Sequence, residues 1–111
     1  MKIKQFDIWL ANLNPSKGTE PGKIRPVVVV QTDLLNDLHP STVICPVTSH
    51  VNKDIEVLRV HLKKGQLETA SDILIDQVRA IDNKRLIQRL GKLNKEQAST
   101  LKSNLRIVLD L

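Results

Sequence analysis

Pro26-Val27-Val28-Val29-Val30 is the stretch on which the fold turns. Four consecutive valines leave no polar position on either side of an extended chain, and their branched side chains suit a pleated backbone. Residues 26–30 are therefore expected to form a strand buried on both faces, bounded by turn formers. Upstream, residues 14–25 read as a loop, punctuated by Asn-Pro, Lys-Gly and Pro-Gly. Before it, Phe6, Ile8 and Leu10 alternate with Asp7, Trp9 and Ala11, which predicts a strand over 6–13 with two differently used faces.

Downstream, residues 42–47, 56–62 and 72–77 are expected as further strands. In the second, Val57, Arg59 and His61 alternate with Leu58, Val60 and Leu62, and Lys63-Lys64-Gly65 closes it as a turn. Asp82 can cap a short helical turn over 83–86, and 87–90 can return as a last strand. The helix is C-terminal. Asn94 supplies an N-cap with Gln97 three residues on, and Ala98, Leu101, Leu105 and Val108 recur at helical spacing. Many short strands and one amphipathic helix imply a mainly β protein: a small, strongly bent antiparallel sheet or barrel with the helix packed on it.

A chain of 111 residues is the size of one domain, read here as 1–111. No apolar run approaches the roughly 20 residues that a membrane span needs, and the N-terminus lacks a secretory apolar segment, so a cytoplasmic protein is expected. Cys45 is the only cysteine, which precludes an intrachain disulfide, and zinc-like Cys/His spacing is absent. No metal or cofactor is expected. A net charge of +5 and a pI near 9.6 favour a polyanionic partner, nucleic acid ahead of membrane, although a solvated positive face accounts for the charge equally well. Phe6 and Trp9 are the only aromatics, which argues against stacking platforms for successive bases. An RNA site here would rely on arginine, amide, hydroxyl and backbone donors.

Three clusters could carry chemistry. Arg25 ends the polar loop, and Pro26 biases its backbone towards extended geometry, setting a guanidinium at the lip of the core strand. It could hold a phosphate through two parallel hydrogen bonds, or pair with Glu20 at the surface. Pro46-Val47-Thr48-Ser49 sets two hydroxyls where a strand becomes a loop, a pattern that also fits plain turn residues. Asp76 and Gln77 interrupt an otherwise apolar strand, either as an anchor for a neighbouring loop or as a reader of base edges or phosphate. His39, His50 and His61 have no obvious second ligand or nucleophile nearby. Cys45 lies in an expected buried strand, and nothing in the spacing supports a nucleophile pair with His50.

In order, Phe6-Asp7-Ile8-Trp9, Leu13-Asn14-Pro15-Ser16-Lys17-Gly18-Thr19-Glu20, Arg25-Pro26 with its valines, Pro46-Val47-Thr48-Ser49 and Asp76-Gln77-Val78-Arg79-Ala80-Ile81-Asp82 resemble the MazF/PemK family of toxin ribonucleases. The resemblance covers nearly the whole chain. It implies an SH3-like barrel, a homodimer with an RNA groove at its interface, and an antitoxin that occupies the groove. It also implies a metal-independent endoribonuclease in which Arg25 stabilises the phosphorane, Thr48 gives a hydroxyl to the scissile phosphate and Glu20 is the candidate base. Trp9, Lys17, Ser49, Asp76 and Gln77 are implied to line the groove and help choose bases. Pro21 and Leu74 depart from the pattern of some members, Pro21 by removing a backbone donor beside Glu20. The rival reading is a CcdB-like toxin that binds a protein such as DNA gyrase. Such chains typically end in a tryptophan-containing tail, which residues 104–111 lack. A third reading is a nucleic-acid-binding barrel without catalysis.

Overall fold

The computed structural model describes residues 2–15, 18–19, 23–55, 58–63 and 65–111. In chain order these form β1 (Asp7–Asn12), β2 (Ile24–Val29), β3 (Ser41–Thr48), β4 (Arg59–Leu62), β5 (Ser71–Leu74), a 3₁₀ turn (Ile75–Gln77), β6 (Arg79–Asp82), a second 3₁₀ turn (Asn83–Arg85), β7 (Leu86–Lys92) and α1 (Lys95–Leu109). The strands make one seven-stranded sheet in the order β4-β5-β3-β2-β1-β7, with β6 also paired to β3. All pairings are antiparallel. The sheet bends sharply without closing, so the expected barrel is an open, curled sheet.

The bend originates at β3. Residues Ser41 to Ile44 pair with β6, whereas Val47 and Thr48 pair with β5 along the same edge. Pro46 stands where one partner gives way to the other, a position at which a missing N–H leaves no ladder bond unmade. The 3₁₀ turn fills this gap, so the expected strand over 72–77 ends at Leu74, and Asp76 and Gln77 lie on the turn. β6 follows as a separate short strand that the hydrophobic pattern had not marked.

Both faces of β2 are covered. Val28 packs with Ile8, Cys45, Ile73 and Leu101 beneath the helix, while Val27 and Val29 pack with Trp9, Leu13, Ile44 and Leu86 inside the curl of the sheet. The valine run thus serves two cores at once, as its composition implied. β2 starts earlier than residue 26 because Ile24 and Arg25 pair with Asn12 and Ala11 of β1. Two register shifts between β1 and β7 leave Leu90 and Ile87 opposite no single partner. Bulges of this kind re-aim side chains, and both residues are exposed.

α1 keeps the expected capping box: the Asn94 side chain accepts from the Gln97 amide at 2.8 Å, and the Asn94 amide donates to Gln97 Oε1 at 3.0 Å. Gln97 also exchanges two 2.7 Å hydrogen bonds with Gln66, so the helix start fixes the turn after β4. In that turn Gly65 has φ +112°, a conformation that L side chains rarely adopt. Leu101 is fully buried at the centre of the apolar stripe. Among the described residues no helix is long and apolar enough to cross a membrane. Truncating Leu101→Ala is expected to cost about 2–5 kcal/mol in urea unfolding, against at most about 0.5 kcal/mol for the half-exposed Leu109→Ala. Equal shifts in the two variants would contradict this packing of the helix.

Candidate active site

Two strands bring the conspicuous polar residues together, and a proline decides how. Val27 lies opposite Pro46 and Val28 opposite Cys45. Continuing that register sets Pro26 opposite Val47 and Arg25 opposite Thr48. The Val30 amide donates to the Val43 carbonyl at 3.0 Å, which makes 30/43, and by alternation 28/45 and 26/47, the hydrogen-bonded pairs. At Pro26 the donor is missing, so the Val47 carbonyl receives no ladder bond there. The Arg25 guanidinium occupies the vacancy: its Nη1 donates to the Val47 carbonyl at 3.4 Å. Directly opposed positions of an antiparallel pair lie about 4.5–5.5 Å apart, so the guanidinium and the Thr48 hydroxyl share one end of the sheet.

That end opens into a cleft of about 1050 Å³. Lys23, Arg25, Thr48, Ser49 and His50 line one part, Leu10 and the bulged Leu90 another, and the turn from Gly65 to Ser71 a third. Thr48 is almost buried. Its Oγ1 accepts from the His50 amide at 3.1 Å, which fixes the oxygen and leaves the hydroxyl proton to donate. The cleft therefore offers a fixed cation beside a fixed hydroxyl over a partly apolar surface, a set suited to an oxyanion.

Behind Thr48 lies a buried charge network. Asp72 of β5 is fully buried and opposes His61 of β4 in register. One oxygen receives Arg59 Nη1 at 3.0 Å and the Asn52 amide at 2.9 Å; the other meets His61 Nδ1 at 2.6 Å. Arg59 Nη1 also donates to the His50 carbonyl at 2.6 Å. Burial pushes the Asp72 carboxyl up, but the Asn52 amide, His61 and Arg59 together outweigh it and hold the group below its ordinary range. Sequence reasoning missed this network. Its signal was present: Arg59 and His61 share a strand face, and two neighbouring basic side chains on one face suit an acidic residue on the strand beside them.

The sequence-predicted residues are only partly brought together. Arg25, Thr48 and Ser49 line one cleft. Trp9 is buried in the core of the curl, its indole N–H without a hydrogen-bond partner among the described residues. Exposed Asp76 and half-buried Gln77 sit on the 3₁₀ turn rather than at the cleft. Lys17 and Glu20 lie outside the described residues, as does Pro21. Cys45 is fully buried, and burial, aided by the charge of Asp76, pushes its thiol up to about 12. It serves as packing and cannot act as a nucleophile with His50.

Comparison with known proteins identifies the family and finds the same fold in solved structures. Residues 4–109 match the family model described as PemK-like, MazF-like toxin of type II toxin-antitoxin systems. The fold is similar to MazF from Deinococcus radiodurans at a TM-score of 0.87 and 23% identity, covering 100% of this chain and 99% of that one. A MazE–MazF complex from the same organism matches at 0.81 and 22% identity, covering 100% and 98%. An endoribonuclease in complex with its cognate antitoxin, from a Mycobacterial species, matches at 0.80 and 15% identity, covering 98% and 96%.

Two outcomes follow from the buried groups. Cys45 should resist thiol reagents at pH 8 in the native protein and react fully in denaturant; rapid native labelling would contradict its burial. Asp72 is held below the ordinary carboxylate value of about 3.9, so its charge stabilises the fold above that value and the contribution is lost as pH falls through the lowered one. The urea midpoint of the wild type should therefore fall below about pH 4, and fall less steeply in Asp72→Asn. Parallel pH curves would show that Asp72 is not the group responsible.

Proposed function

The chain belongs to the PemK-like, MazF-like toxin family of type II toxin-antitoxin systems, and from that premise we propose that it is a sequence-specific endoribonuclease, an mRNA interferase that cuts single-stranded RNA without a metal. The observation that carries the reading is the meeting of Arg25 and Thr48 at one end of the β2–β3 ladder, on the wall of a cleft. In this reading the toxin is a single domain that works as a homodimer in the cytoplasm and is silenced by a cognate antitoxin. The solved complexes of similar toxins with antitoxins support that partner.

The chemistry suits the residues. Attack of the 2′-hydroxyl on the adjacent phosphorus forms the new P–O bond, and the bond to the 5′-oxygen breaks, leaving a 2′,3′-cyclic phosphate and a 5′-hydroxyl. The extra negative charge of the phosphorane needs fixed donors aimed at it. Arg25 supplies the permanent charge and a planar pair of donors, and gives a proton towards the leaving oxygen; Thr48 donates its hydroxyl to a non-bridging oxygen. Glu20, five residues before Arg25 in the sequence, takes the 2′-hydroxyl proton. Ser49 and Lys17 contact the flanking nucleotides. The same reading gives Asp76 and Gln77, on their 3₁₀ turn outside the cleft, a part in choosing bases, and leaves buried Trp9 to packing inside the curl.

Wild-type protein incubated in chelator with a long unstructured RNA should yield discrete fragments with 2′,3′-cyclic phosphate and 5′-hydroxyl ends. Intact RNA would instead favour the CcdB-like alternative, a toxin that binds a protein. Arg25→Ala should lower the single-turnover rate by about 10²-fold or more, and Thr48→Ala by about 10–10²-fold, with both variants folded. Wild-type rates in Arg25→Ala would remove it from the reaction.

A further inference from the structure

The nuclease reading uses the Thr48 hydroxyl but leaves unexplained the buried ion pair behind it. Asp72 is fully buried, and its ion pair with Arg59 lies at 3.0 Å. Burying a carboxylate is costly, and an apolar residue of similar size would serve packing as well. The network does not end at Asp72. The same Arg59 nitrogen that meets the carboxylate donates its other hydrogen to the His50 carbonyl at 2.6 Å, and the amide of His50 donates to Thr48 Oγ1 at 3.1 Å. Asp72 also holds the Asn52 amide at 2.9 Å, two residues further along the same loop.

We propose that Asp72 and Arg59 are positioning residues for the reaction, which fix the loop after β3 at two points so that the His50 amide aims the Thr48 hydroxyl into the cleft. Resting on the nuclease reading, the inference names what sets the geometry of one of its two donors. Asp72 occupies β5, which pairs with β3 at Thr48 itself, so carboxylate and hydroxyl are referred to the same ladder. Arg59 spans from the carboxylate to the loop backbone. His61, on the other carboxylate oxygen at 2.6 Å, orients the carboxylate so that its second oxygen faces Arg59 and Asn52. A displaced Thr48 oxygen would still allow RNA to bind through Lys23 and Arg25 but would weaken only the contact that matters as charge develops on the phosphate. The expected signature is thus a loss in kcat with KM little changed.

The test is a double-mutant cycle under single-turnover and steady-state conditions. Asp72→Asn and Arg59→Met, each checked for its unfolding midpoint, should lower kcat about tenfold with KM within about twofold of wild type. In a Thr48→Ala background the same substitutions should have almost no further effect, because the group they position is gone. An equal loss in both backgrounds would reduce Asp72 and Arg59 to structural supports and overturn the proposal. If neither variant folds, amide exchange of the wild type decides: the His50 amide should be protected relative to that of exposed Ser49, and equal exchange of the two would overturn it. Wild-type protein that cuts no RNA defeats the nuclease reading instead, a result separate from either arm.

Discussion

The β2–β3 ladder, ended by Pro26, is the constraint on which the rest depends. Beyond Pro26, Val27 to Val29 pair with Ile44 to Pro46, and this part of β2 is sealed on both faces, so it has no freedom to slip. A one-residue slip would exchange the faces of all three valines, and the two cores they serve differ in shape and partners. Pro46 lets β3 change partners from β6 to β5, which curls the sheet. Pro26 ends the ladder one residue from Arg25 and frees the Val47 carbonyl that the guanidinium takes. Rigidity in the core and an open end beside it therefore arise from the same few residues.

What is built on that end divides into a local part and a distant part. Arg25 and Thr48 are set by β2 and β3 themselves. The outer walls are set by elements far along the chain: the Gly65–Ser71 turn tied to the helix through Gln66 and Gln97, the loop after Thr48 tied to β4 and β5 through Arg59 and Asp72, and the bulged Leu90 of β7. The capping box of α1 links helix formation to the cleft, because Gln97 closes the helix start and grips Gln66 with the same side chain.

Much of this was legible in the sequence where the signal is local. The valine run, the Asn94–Gln97 capping box and the Asp82 cap all rest on a few neighbouring residues, and all appear in the structure. Arg25 and Thr48 stood out because each sits at a strand end next to a proline-bearing motif. The rest depended on pairing over long sequence separations. The break at Leu74 and the separate strand β6 follow from the partner change along β3, which hydrophobic pattern does not record. The resemblance assigned Trp9 to the groove, yet its place on β1 buries it in the curl. Arg59 and His61 share a strand face, a local hint of an acidic partner, but only the long-range pairing of β4 with β5 identifies that partner as Asp72.

The claim that the Arg25–Thr48 end of the sheet receives a phosphate is tested most directly by NMR, with an RNA whose 2′-oxygens are methylated and which therefore binds without being cut. Titrated into the wild-type protein, it should shift the Arg25 guanidinium and the Thr48 to His50 amides most strongly, as the guanidinium leaves the Val47 carbonyl for the phosphate. Shifts confined to other surfaces, such as the exposed leucines at 34 and 38, with Arg25 and Thr48 unmoved, would contradict the account.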